Sequence, residues 1–564
     1  MTTFKIHIMD RNYHSWKVMP DNVVLNPFEN KLFDEDEFIL DQNNNTIVIS
    51  SKVKNIKIPG VLVLLGNKTY GKQLKGDKSM YKFIPDNSKL PYFLIPYTIK
   101  HMAFSKVLNN LYAVIVFKEW KSKHPIGMLD QIIGNVNLVE NFYIHQLNCK
   151  KLNITVNDLK KHTTSILENI NESELIKRIL LQYPSIENRT EDKNIISIDP
   201  INSKDFDDAV SITELPNNLI RLSIYISNVS IIIDNLQLWE HLSERISTIY
   251  LPNKNYTMLP DVLCNNLCSL KENIERVAFA MDLLIENNVI IDMQLKNVLI
   301  KVSNNYCYED ISLLQDSRYN KLLNITKKLN ETYNYTIIHD SHDVICYLMI
   351  LMNHNCANKL LSYKCGIFRN TILKTNNNII PLHLPSDTYK FMKNWNSING
   401  QYIDISQQTM DLTHNVLNLN AYIHITSPIR RMVDLLNMIK LQDVHNIIIL
   451  REDANKFYDK WVNKLDYINI TMRSIRKVQN DCELLNKFYK NPDILTTEYI
   501  GYLFDKTIRI DDLIQYNVYI HELKLIKKIM IREDFMNYDC KKIKLYLFHN
   551  ENDLKLKLRV QLMS

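Results

Sequence analysis

Short apolar runs broken by Asn, Gly, Asp and Pro dominate the first part of the chain after residue 55, among them Gly60-Val-Leu-Val-Leu-Leu-Gly66, Tyr81-Lys-Phe-Ile-Pro85, Tyr92-Phe-Leu-Ile-Pro96 and Leu111-Tyr-Ala-Val-Ile-Val-Phe117. Runs of this length with such punctuation predict short strands joined by turns. Several in succession predict a small barrel. Residues 155–182 place Leu, Ile and charged residues at helical spacing, and Ile195 to about Leu284 reads as strand-rich. Helical periodicity dominates from about Tyr306 to Leu361 and from Pro428 to about Tyr489, where Arg473, Arg476 and Lys477 would share one basic face. The last segment, Tyr499 to Leu562, returns to short alternating runs such as Asn517-Val-Tyr-Ile-His521 and Lys544-Leu-Tyr-Leu-Phe548, which predicts a second small barrel.

At 564 residues the chain exceeds what one hydrophobic core supports, so two to four domains are expected. No apolar stretch approaches the ~20 residues that span a bilayer. The N-terminal MTTFKIHIMDRNYHSWK lacks a secretory apolar region, so a soluble, intracellular protein is expected. Nine cysteines without a CxxC pair predict neither zinc nor a disulfide framework. There is no HExxH and no GxxxxGK[ST] loop, so metalloprotease chemistry and nucleoside-triphosphate hydrolysis find no support. Only nine glycines against many Asn points to AT-rich coding, with Asn filling positive-φ positions. The net charge of +6 is unevenly spread: residues 1–50 hold 4 Lys/Arg against 8 Asp/Glu, and residues 51–150 hold 15 against 5. A basic barrel carrying exposed aromatics would suit single-stranded nucleic acid, through phosphate contacts and base stacking.

The run Ser197-Ile-Asp-Pro-Ile-Asn-Ser-Lys-Asp-Phe-Asp-Asp-Ala-Val210 concentrates four carboxylates, Asp199, Asp205, Asp207 and Asp208. Carboxylates so close would raise one another's pKa unless a cation compensates, which points to Mg²⁺ or Mn²⁺. A solvated acidic turn is the plain alternative, but Ile195, Ile196 and Ile198 on one side and Val210 and Ile212 on the other place the acids on strands. An EF-hand does not fit, because positions 201 and 203 are Ile and Ser.

The Asp-x5-Asp-x-Asp-Asp spacing resembles the signature of RNB-domain exoribonucleases, the group of RNase II, RNase R and the catalytic subunit of the eukaryotic exosome. Further blocks follow in the family's order: Thr248-Ile-Tyr-Leu-Pro252, Met258-Leu-Pro260, Leu267-Cys-Ser-Leu270, Met349-Ile-Leu-Met-Asn353, and His414 through Ser427-Pro-Ile-Arg-Arg431. The resemblance covers roughly residues 55–564 and is strongest over 195–435. It implies an α+β protein in which an RNB catalytic domain, 152–490, lies between small OB-fold barrels. The one before it, 56–151, would be cold-shock-like and closest to the exosome type; the one after it, 491–564, would be S1-like; and 1–55 would be a short, partial OB-like segment.

The resemblance further implies a processive, metal-dependent 3′-to-5′ exoribonuclease that degrades single-stranded RNA to nucleoside 5′-monophosphates by two-metal hydrolysis. Asp199, Asp205, Asp207 and Asp208 would hold two Mg²⁺ ions, with Mn²⁺ as a substitute, and catalysis would depend most on Asp207. Arg430 would sit on the scissile phosphate, with Arg431 as its RNA-binding neighbour, and Tyr250 would stack on the nucleotide near the 3′ end. The chain departs from the family pattern at Tyr347, usually Glu, and at Val416, Met432, Met438 and Ile439. Those departures sustain a second reading, a catalytically silent RNA-binding or scaffold protein of the same fold. A DNA-directed nuclease would differ only in contacts to the 2′-hydroxyl. No membrane partner is expected, a monomer and an exosome-like assembly are both open, and the location would be cytoplasmic or nuclear, or a virion if the source is viral.

Overall fold

The structure is a computed structural model that describes residues 2–21, 23–73, 78–99, 108–372, 380–395, 399–407, 412–509, 512–550, 554 and 556–563. Three lysines of the basic stretch, Lys75, Lys100 and Lys106, lie outside the described residues. The chain divides into two compact units: Met1–Asn153 with Leu251–Asn253 and Arg476–Ser564, and Ile154–Tyr250 with Lys254–Ile475.

In the first unit, Phe4, Ile6 and Ile8 alternate with Lys5 and His7, so the strand Phe4–Ile8 buries one face. It joins Trp16–Met19, Glu37–Leu40 and Thr46–Ser50 in a four-stranded antiparallel sheet. Ile6, Phe33 and Phe38 share a core with Phe83, Phe93, Ile115 and Trp120 of the barrel that follows. That barrel is closed and consists of Lys57–Leu62, Ser79–Pro85, Phe93–Tyr97, Leu111–Glu119 and Ile126–Asn135. At Gly60 an added Cβ would lie 2.2 Å from the Ile84 carbonyl oxygen, so the strand crossing needs glycine. Among the described residues, Tyr81, Phe83, Phe93 and Tyr112 of the barrel are buried and fill the interior of the unit, while Tyr70 is exposed with Lys68 Nζ 5.6 Å from its ring centroid. Tyr92 remains half-buried on the outside, with Lys82 Nζ 3.6 Å from its ring centroid.

The C-terminal strands Glu498–Ile508, Ile514–Ile520, Leu525–Ile531, Cys540–His549 and Leu556–Leu562 form one antiparallel sheet around Leu503, Tyr516, Val518, Ile543 and Leu545. In this module and in the closed barrel alike, the first strand pairs with the second and the fourth, and the fourth with the fifth. The second is open between its outer strands among the described residues, as partly open OB-folds are.

The second unit is organised by a seven-stranded sheet in the order Glu187–Arg189, Val289–Lys301, Glu275–Glu286, Ile220–Ser227, Asp208–Glu214, Ile196–Asp199, Asn304–Cys307. Pairing is antiparallel except at its two edges. One face packs Ile196, Val210, Ile224 and Met281 against the helices Ser317–Thr332, Ser341–Ser362 and Met432–Val444, through Leu322, Leu348, Leu351 and Met438. Tyr306, expected to open a helical region, lies instead in the strand Asn304–Cys307, where parallel pairing to Ile196–Asp199 overrides local periodicity. The strand-rich segment likewise contains a fully buried helix, Val229–Asn235, despite its run of isoleucines. Among the described residues no helix is long and apolar enough to cross a membrane.

That helix exists because Asn228 caps it. Buried Asn228 accepts hydrogen bonds from the Ile231 N–H at 3.2 Å and the Ser230 hydroxyl at 2.6 Å, and donates to Asn297 Oδ1 at 2.8 Å and Gln442 Oε1 at 2.9 Å. Asn228→Ala removes a cap and strands two buried acceptors, a loss on the order of 3 kcal/mol. Urea unfolding should show a lower midpoint for the variant, and an unchanged midpoint would show that the network carries no stability.

Candidate active site

The acidic run folds as the connection between two adjacent antiparallel strands. Ile196 pairs with Val210, so Asp199 ends one strand, Asp208 begins the next, and Asp205 and Asp207 lie on the loop between them. The loop turns through Asn202 at φ +68°, a conformation that asparagine tolerates. Ser269 anchors it from the Leu267–Leu270 block, accepting from the Phe206 N–H at 3.0 Å and donating to the Lys204 carbonyl at 2.9 Å. The Ser227 N–H donates to the Asp207 carbonyl at 2.8 Å, and the Tyr308 N–H to the Asp199 carbonyl at 3.0 Å.

Asp207 and Asp208 are buried, while Asp199 and Asp205 are partly exposed. Burial pushes Asp199 up to about 8, with the charges of Asp208 and Asp207 adding to it. Burial also pushes Asp207 up to about 8, against the opposing pull of Arg430 and the Ile429 N–H. Asp208 rises to about 6 for the same reason, again opposed by Arg430. Desolvation, more than the mutual repulsion expected from spacing, is therefore the main force on these carboxyls.

The residues fit a hard divalent cation. Asp199 Oδ2 and Asp207 Oδ2 are buried and receive no aligned hydrogen bond, and every donor in the cluster is an oxygen. Among the described residues, no three of the four acids bring oxygens all within 4.8 Å of one another, so the array is wider than a single three-carboxylate site.

Arg430 arrives from the loop before the helix Met432–Val444, and its Nε lies 3.0 Å from Asp207 Oδ2. The backbone of the same loop reaches the same acid, since the Ile429 N–H donates to Asp207 Oδ1 at 3.0 Å. The Ile246–Tyr250 segment docks on the loop, its Thr248 N–H donating to the Arg430 carbonyl at 3.0 Å and its Ile246 carbonyl accepting from the Met432 N–H at 2.9 Å. Tyr250 also hydrogen-bonds the Arg430 side chain. Three buried side chains fix this loop. Asn353 accepts from the Ile425 N–H at 3.0 Å, Asp434 from the Ser427 N–H at 2.8 Å, and Asn437 donates to the His424 carbonyl at 3.0 Å.

Asp199, Asp205, Asp207, Asp208, Tyr250 and Arg430 line one cleft of about 890 Å³. Arg431 does not line it; its guanidinium donates to buried Asp434 at 2.7 Å. Sequence reasoning missed Tyr308 and the wall formed by His342, Ile345, Cys346 and Met349. The spacing of those four on the helix Ser341–Ser362 is that of a single helical face, the signal that could have found them. Tyr347 lies outside the cleft lining, fully buried with its ring 5.5 Å from that of Tyr335. Met432, Met438 and Ile439 are core residues, and Val416 is exposed elsewhere.

Residues 188–339 match the RNB domain family. Over 256 residues the chain is 27% identical to DIS3-like exonuclease 2 of Schizosaccharomyces pombe, an alignment covering 43% of this chain and 26% of that relative's length. The fold is similar to that of Mycoplasma genitalium RNase R in complex with ribose methylated single-stranded RNA, with a TM-score of 0.69 and 15% identity, covering 99% of this chain and 100% of the other. It is also similar to yeast Ssd1, a pseudonuclease, with a TM-score of 0.61 and 13% identity over 94% of this chain and 79% of that one. The domain match spans the strands and loop that carry the four acids, and residues 188–339 of this chain are an RNB domain.

Proposed function

We propose that this chain is a processive, metal-dependent 3′-to-5′ exoribonuclease that degrades single-stranded RNA to nucleoside 5′-monophosphates, with residues 152–490 as its catalytic domain between two RNA-holding OB-fold modules. One observation carries the reading: four acids from one strand pair and an arginine more than 200 residues later meet in a single open cleft. The RNB-domain match over residues 188–339 supports it.

Asp199, Asp205, Asp207 and Asp208 would hold two Mg²⁺ ions, or Mn²⁺ in their place. When bound, the pair supplies an activated water, neutralises charge around the phosphate and stabilises the leaving oxygen. The chain does the positioning. Asp207 is held from two sides by Ser227 and Ile429, so its carboxylate keeps a fixed direction. Arg430, 45% exposed at its side chain, presents a guanidinium fork whose paired donors suit a phosphate with developing charge. Tyr250, 39% exposed, offers a ring face for stacking the terminal nucleotide, worth about 1–3 kcal/mol. Arg431 contributes to RNA binding through the loop that it and Asp434 hold in place.

The second reading, a silent RNA-binding member of the fold, is favoured by the likeness to a pseudonuclease. Retention of all four acids and of Arg430 counts against it.

Gel analysis of 5′-labelled single-stranded RNA separates the two. Wild-type protein with Mg²⁺ should shorten the RNA to a fragment of a few nucleotides, EDTA should abolish this, and Asp207→Asn should slow it at least about a hundredfold. Bound but intact RNA would establish the silent reading. Arg430→Lys keeps the charge but loses the fork, so kcat should fall about tenfold or more while RNA affinity stays within about threefold; equal losses in both would remove Arg430 from the chemistry. Tyr250→Ala should change the length of the final fragment, and an unchanged end product would make Tyr250 a packing residue only.

A further inference from the structure

A second cluster, in the other unit, combines a thiol, an imidazole and a carboxylate. His145 and Cys149 lie four residues apart on the helix Val139–Cys149 and so share a face. Asp86 follows the strand Ser79–Pro85 and is tied to the barrel by its N–H, which donates to the Pro59 carbonyl at 2.8 Å. His145 Nε2 lies 3.3 Å from Cys149 Sγ and 3.7 Å from Asp86 Oδ1, and donor atoms of all three fall within 4.8 Å of one another.

Zinc bonds of about 2.3 Å to sulfur and about 2.0–2.2 Å to nitrogen and oxygen, at tetrahedral angles, require ligand separations of about 3.4–3.6 Å. The pair containing sulfur sits near the upper end of that range and the nitrogen–oxygen pair near the lower, so the observed Nε2–Sγ 3.3 Å would have to lengthen and Nε2–Oδ1 3.7 Å to shorten, each by about 0.3 Å, to seat an ion. His145 is fully buried and stacked on Tyr112 at 4.2 Å between centroids, which fixes the direction of its ring. Its Nδ1 makes no hydrogen bond, so nothing outside the cluster fixes the tautomer that would block Nε2. Cys149 is only partly buried and gives a metal ion access. Two other groupings are weaker: Asp158, His162 and His241 lack a thiol and lie mostly exposed, and His342 borders the carboxylate cleft.

We propose that Asp86, His145 and Cys149 bind one zinc ion that clips the barrel to the helix following it. Water fills the fourth position from the cavity of about 360 Å³ that Asp86 lines with Gln146, Lys150 and Asp481. As the metal–sulfur bond forms, the Cys149 thiol proton passes to solvent, and no group changes oxidation state. The site is independent of the nuclease reading, because none of its residues lines the carboxylate cleft.

Cobalt(II) titration of the full chain tests this, since only a thiolate-bearing site gives a sulfur-to-cobalt charge-transfer band in the near ultraviolet. One equivalent should generate the band, Zn²⁺ should remove it, Asp207→Asn should retain it, and Cys149→Ser should lose it with unchanged circular dichroism. Asp86→Asn, altering a different element and no thiol, should weaken cobalt affinity about tenfold. No band in the wild type, a band that survives Cys149→Ser and so arises from another cysteine, or unchanged affinity in Asp86→Asn would each overturn the proposal.

Discussion

The second unit depends on how Asp207 is held. A carboxylate 2% exposed to solvent cannot keep its charge without compensation, and here the compensation comes from a distant part of the chain. Oδ1 accepts from the Ile429 N–H, Oδ2 faces the Arg430 guanidinium, and the Asp207 carbonyl accepts from the Ser227 N–H. The strand-connecting loop, the neighbouring strand and the loop before the helix Met432–Val444 therefore lock around one side chain. If that loop moved, buried negative charge would be left facing only its own kind. Asn353, Asp434 and Asn437, all buried, each make at least one hydrogen bond with the same loop and oppose such movement.

The surrounding sheet supplies rigidity. Its strands are covered by helices on one face and by Ile195, Ala209, Tyr225, Ala278, Ala280 and Val298 packing on the other. One buried acid inside this mass is fully engaged: Arg189 donates to both carboxylate oxygens of Asp282, at 2.9 and 2.6 Å, and Ser223 donates to the same acid at 2.7 Å. Burial and hydrogen bonding pull the Asp282 pKa in opposite directions, and the arginine and serine bonds win, leaving it lowered. In the carboxylate cleft the balance is reversed, with Asp199, Asp207 and Asp208 all raised. The contrast between Asp282, in which pairing outweighs burial, and the three cleft acids, in which burial outweighs pairing, is the pattern on which the proposed cation site rests.

Much of this was legible in the chain. Short apolar runs bounded by Asn, Gly, Asp and Pro gave barrel strands such as Ser79–Pro85, Phe93–Tyr97 and Leu111–Glu119 within a few residues, because turn-forming residues mark where a strand must stop. The four acids could be placed together because a strand, a short loop and the next strand must bring their ends side by side. Other features escaped. Tyr306 joined a sheet and Val229–Asn235 became a helix, since each is decided by partners far along the chain rather than by local propensity. Tyr81, Phe83 and Phe93 of the barrel went inward, where the core needed their volume.

The sequence by itself determined which chemistry was available: a hard-oxygen cluster with strand-forming flanks, an arginine at the start of a helix, and a basic stretch of short strands. These are properties of residue type and of spacing within a few turns or one hairpin, where backbone geometry leaves little freedom. Only the tertiary structure decided that Arg430 faces the acids while adjacent Arg431 turns to Asp434, that Tyr347 is core, and that Asp86 meets His145 and Cys149. Each of those outcomes hangs on packing between segments with no covalent constraint on their approach, so it is set by which surfaces bury together and not by any local pattern.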